Sequence, residues 1–125
     1  MLFRSGEAVR RLIAEVAEVL APMNDYDDLG GFRDEMTKAL QGLVDTTTWL
    51  GERLLAGDLG SALAGATPYL RQFGTILGGW MMARSAIAAL EKAGSDDNAF
   101  LRDKVLTARF YGEQILPQEI GRAHV

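Results

Sequence analysis

TPYLRQFGTILGGWMMARSAIAAL, residues 67–90, is the longest nearly uninterrupted apolar run in the chain, and its reading decides the fold. At helical period, Leu70, Phe73, Leu77, Trp80, Arg84 and Ile87 fall along one side, and Tyr69, Ile76, Ala83 and Leu90 fall close to the other. A helix that is apolar most of the way round is a buried one. Gly74, Gly78 and Gly79 are poor helix formers, so they mark places where a neighbouring backbone comes close. Gly74 and Gly78 also form a GxxxG pair of the kind that packs helices in lipid. Arg71 and Arg84, however, bracket only about a dozen apolar residues, short of the roughly 20 that cross a bilayer. The run therefore reads as a buried helix and not as a span.

Working outward, residues 6–21 read as a first helix. Val9, Ile13, Val16 and Leu20 line its core face, Leu12 and Val19 lie beside them, and Pro22 ends it. The polar, turn-rich PMNDYDDLGG follows. Its acids lack the spacing and distal glutamate of a calcium loop. A second helix over residues 32–56 carries a seam of Met36, Leu40, Leu43, Thr47, Leu50 and Leu54. Thr46, Thr47 and Thr48 can bond their own helix backbone, which favours packing over catalysis. Trp49 lies off the seam, on the side of the bundle or against a partner domain.

Gly57 suits a C-cap. Residues 58–66 are alanine-rich, and Thr67-Pro68 resembles an N-cap followed by an N1 proline. A kink in one long helix is favoured over a fresh start. Gly94 stops that helix, and Ser95 caps a fourth, with Asp96 and Asp97 in its first turn. The fourth helix has a seam of Leu101, Val105, Ala108, Gly112 and Ile115, supported by Phe100, Phe110 and Tyr111. Short links make sequential helices antiparallel. The predicted fold is all-α: an up-down four-helix bundle with a kinked, largely buried third helix.

With 125 residues, 48% hydrophobic and 24% charged, the chain is long enough for one domain with a core. A net charge of -4 argues against a nucleic-acid surface. The absence of cysteine removes disulfides and thiolate chemistry and fits a reducing compartment such as the cytoplasm. The opening residues lack the pattern of a signal peptide. The two ends look foreign: LFRS at residues 2–5 and IGRAHV at residues 120–125 are what opposite ends of a common sequencing adapter encode. Residues 1–5 and 120–125 are therefore read as adapter-derived, and residues 6–119 as a piece of a longer protein. Setting the ends aside also removes His124, the single histidine.

The remaining residue types narrow the chemistry further. There is no inward Glu-x-x-His pair for a diiron site and no Cys/His set for zinc. There is no P-loop, no GxSxG and no histidine to activate a serine. Asp34 and Glu35 are sequence neighbours that point to different sides of a helix. Arg71 and Arg84 stand out, because a buried arginine must be paired. Their expected partner is Asp45 or a glutamate, or else a phosphate or carboxylate on a ligand or partner domain. Tyr69, Trp80, Met81 and Met82 suit core packing over a pocket. Trp49, Tyr69, Arg71, Trp80 and Arg84 are the candidate interface or domain-contact residues, with no catalytic, cofactor or metal residue assigned.

TTTWLGERLLAGDLGSALAGATPYLRQFGTILGGWMMAR at 46–84 and TARFYGEQILPQ at 107–118 resemble the C-terminal extension of the larger bacterial acyl-CoA dehydrogenases. The carriers are TxWL from Thr47 to Leu50, AxxYLRxFG from Ala66 to Gly74, the Trp80 helix, and FYxxQxLP from Phe110 to Pro117. The resemblance implies a parent flavoprotein that oxidises acyl-CoA to 2,3-enoyl-CoA. In it a glutamate takes the α proton, FAD takes the β hydride, and an electron-transfer partner reoxidises the flavin. It implies that this segment is a non-catalytic helical domain packed on its own catalytic domain or a second subunit, without FAD of its own. The competing expectation from the residues is a free-standing, self-associating or adaptor bundle. A weaker one is a small-molecule pocket around Trp80 and Arg84.

Overall fold

The computed structural model describes residues 2–93 and 99–118, with side chains at 7–92 and 99–118. Every regular element among them is helical, and four long helices dominate. In chain order they are α1 (Leu2–Ala17), the single turn α2 (Leu20–Met23), a 3-10 turn (Asp27–Leu29), α3 (Gly30–Leu55), α4 (Leu59–Ala93) and α5 (Ala99–Phe110). A π-helical turn (Tyr111–Ile115) follows α5. Gly94, Ser95, Asp96 and Asp97, the expected stop and cap, lie outside the described residues, as do residues 120–125.

The first helix ends before its proline. The backbone turns at Glu18 and Val19, and Pro22 lies in the first turn of α2, where a missing N–H breaks no intrahelical bond. Ile13 and Val16 are buried as expected, but Val19 takes the core position expected of Leu20, and Met23 and Leu29 of the connection read as polar are buried too. In α3, Phe32, Met36, Leu40 and Leu43 are buried, whereas Leu54 of the expected seam is exposed. Full burial of one such side chain stabilises by about 1.5–3 kcal/mol.

α3 ends at the expected glycine. Gly57 has φ of 75°, and the Gly57 and Asp58 N–H groups donate to the carbonyls of Leu54 (3.1 Å) and Arg53 (2.9 Å). This is a Schellman closure, which needs a left-handed residue. α4 then runs unbroken through Thr67 and Pro68. Its cap is Asp58, not Thr67: Asp58 Oδ1 accepts the Ser61 N–H at 3.2 Å.

The expectation that α4 is buried most of the way round is not met. Its buried stripe is Gln72, Ile76, Ala83, Ala86 and Ile87, flanked by Tyr69 and Leu90, which is the second of the two faces read from sequence with Ile87 of the first face and Gln72 and Ala86 of neither added. Leu59, Leu63, Leu70 and Met81 are exposed. Contrary to the length expected from residues 67–90, α4 is by length and composition long and apolar enough to cross a membrane, as core helices of soluble proteins also are. Of the three glycines expected to meet a neighbouring backbone, Gly78 and Gly79 admit side chains instead and Gly74 faces open space. A Cβ on Gly78 would stand 2.5 Å from the Tyr111 hydroxyl, and one on Gly79 would stand 3.3 Å from Met36 Sδ.

In α5, Leu101, Val105 and Ala108 are buried, with Gly112 after them. The next core position is Leu116, not Ile115. The π turn adds one residue to the repeat and carries the inward face one position along the chain. Phe100 and Phe110 were expected to support the core but are exposed, whereas Tyr111 packs on it.

Candidate interaction surface

The five candidate residues fall in two places. Trp49, Tyr69 and Arg71 lie on the outer end of the α3–α4 hairpin; Trp80 and Arg84 lie beside α1.

At the hairpin end, Thr46, Thr47 and Thr48 each bond the carbonyl four residues back, at 2.9, 2.7 and 3.0 Å. This satisfies their hydroxyls within the helix, as their chemistry predicts. The Thr47 hydroxyl also reaches the Tyr69 hydroxyl at 2.7 Å, which ties α3 to α4. Tyr69 meets Phe73 edge-on at 5.8 Å. Trp49 is exposed and lies over Gly65, whose added Cβ would stand 2.9 Å from the Trp49 ring. Arg71 is exposed.

The tip is polar. Asp58 is held ionised below the ordinary carboxylate range, chiefly by the Ser61 hydroxyl, then by the Ser61 N–H, with desolvation opposing and Arg53 assisting. Arg53 and Asp58 lie 3.9 Å apart. Asp34 and Glu35 pair with Arg33 at 2.9 Å and Lys38 at 3.7 Å, as exposed surface charges do.

Beside α1, the Arg84 guanidinium rests 5.1 Å from the Trp80 ring centroid, a cation–π contact. The pair borders a cleft of about 450 Å³ between the α1–α2 segment and α4, with Glu15, Glu18 and Glu91 on its rim. The expectation that Arg71 and Arg84 are buried and ion-paired is corrected here. Both are exposed, and neither has a carboxylate within 4.0 Å among the described residues. Their long stems reach water from the edges of the helix, so burial never forces pairing.

Sequence reasoning missed three features. Glu15 and Glu18 come from the end of α1 and the turn after it and Glu91 from α4, and no local spacing brings Glu91 to the other two. The exposed stripe of α4 was readable as a second set of apolar positions at helical period. Gln72 is 2% exposed with its Nε2 unpartnered, and its register with Ile76 and Ala83 was the available signal. At the packed end, the Tyr111 hydroxyl donates to the Thr75 carbonyl at 2.7 Å, in the space left by Gly78. No group of metal-binding side chains is present among the described residues.

Comparison with known proteins supplies the context for this geometry. The family model described as acetyl-CoA dehydrogenase C-terminal like matches residues 12–125. A 60-residue stretch, 47% of the chain, is 38% identical to 3-methylmercaptopropionyl-CoA dehydrogenase of Ruegeria pomeroyi. That stretch covers 10% of this relative, so the chain corresponds to a small part of a much longer enzyme. The matched span takes in α3, α4, α5 and the π turn, the elements that carry the TxWL, YLRxFG and FYxxQxLP segments, and the chain belongs to the C-terminal domain family of the acyl-CoA dehydrogenases.

Proposed function

We propose that residues 6–119 form the non-catalytic C-terminal domain of an FAD-dependent acyl-CoA dehydrogenase, and that the domain packs on its own catalytic body or on a second subunit. The parent would oxidise an acyl-CoA thioester to the 2,3-enoyl-CoA in the cytoplasm and hand electrons to a transfer partner. The observation that carries this reading is the family match over almost the whole chain, combined with exposed leucines on α4 that an isolated domain would not keep. In the same reading α1, α3, α4 and α5 alternate up and down, and α4 bends at Pro68.

FAD belongs to the parent body in this proposal. The cleft beside Trp80 does not suit it: Glu15, Glu18 and Glu91 would face a diphosphate with Arg84 as the single cation of the lining. The terminal residues 1–5 and 120–125 are set aside as adapter-derived.

The test is to express the whole protein encoded around residues 6–119 and to follow acyl-CoA oxidation with an artificial electron acceptor. Bound flavin and turnover are expected in the whole protein, and neither in the 125-residue chain. A whole protein with no flavin and no acyl-CoA oxidation rejects the reading. The exposed leucines also suit a free-standing bundle that self-associates. A surrounding reading frame that starts near residue 1 would select that alternative.

A further inference from the structure

No further inference is drawn: the strongest candidate, the open cleft between the α1–α2 segment and α4 where Glu15, Glu18 and Glu91 stand round the Trp80–Arg84 pair, rests on an acidic cluster with no second observation that points to a ligand.

Discussion

Within α3, Phe32, Met36, Ala39, Leu40 and Leu43 are buried, and no residue from 44 to 55 is. α4 mirrors this: before Gln72 only Ala62 is buried, and after it Ile76, Ala83, Ala86, Ile87 and Ala89 are. The two ends of the hairpin have similar apolar content, so the difference lies in what covers them. α4 has 35 residues and α1 has 16, lengths of about 52 and 24 Å. α1 and α5 therefore close one end of a hairpin that outruns them. The packed end makes a core; the outer end presents an apolar surface that a partner would cover.

The largest contrast is expected from truncating one leucine at each end. Leu43→Ala should cost about 2–5 kcal/mol, whereas Leu63→Ala should stay within about 0.5 kcal/mol, both read by urea unfolding of the 125-residue chain. Equal costs would erase the distinction between the ends. Next is Gly112→Ala, whose new methyl would enter the Phe32 ring. Overpacking there should destabilise by about 1–3 kcal/mol.

Two glycines one helical turn apart should then move stability in opposite directions. Gly78→Ala pushes against the Tyr111 hydroxyl and loosens its bond to the Thr75 carbonyl, a loss of about 1 kcal/mol. Gly74→Ala meets open space and should gain about 0.5–1 kcal/mol from helix propensity. Of the same order, Tyr69→Phe removes the bond to Thr47 and should cost about 0.5–1.5 kcal/mol.

The smallest effect is at the tip and depends on pH. The Asp58 carboxyl is depressed in the folded chain, so its contribution is fully present above the unfolded pKa and is lost as pH falls through the folded one. The melting temperature of the parent chain should exceed that of Asp58→Ala at neutral pH, and the gap should close in acid.

Much of the fold was legible. The helix seams of α1 and the first half of α3, the glycine closure at Gly57 and the threonine back-bonding all follow from local spacing and side-chain chemistry. The end of α1 was misplaced because Pro22 tolerates a first helical turn. The exchange of Ile115 for Leu116 was not legible, since nothing in the FYGEQILP segment announces an extra residue in the repeat. Burial of α4 was overestimated because apolarity reports a preference for cover and not its source; the limit was set by the lengths of α1 and α5. Among the candidate residues, pairing Trp80 with Arg84 followed from their spacing, and their exposure depended on packing between distant helices.

Methionine oxidation tests the central claim most directly. Met81 is 66% exposed, whereas Met23 and Met36 are at 0%. Dilute peroxide should oxidise Met81 rapidly in the 125-residue chain and leave Met23 and Met36 intact. In the whole protein the account predicts that Met81 becomes as slow as the two core methionines, because the proposed packing on the catalytic body or a second subunit would cover it. Equal Met81 oxidation in the chain and in the whole protein would contradict the claim that this face is a covered one.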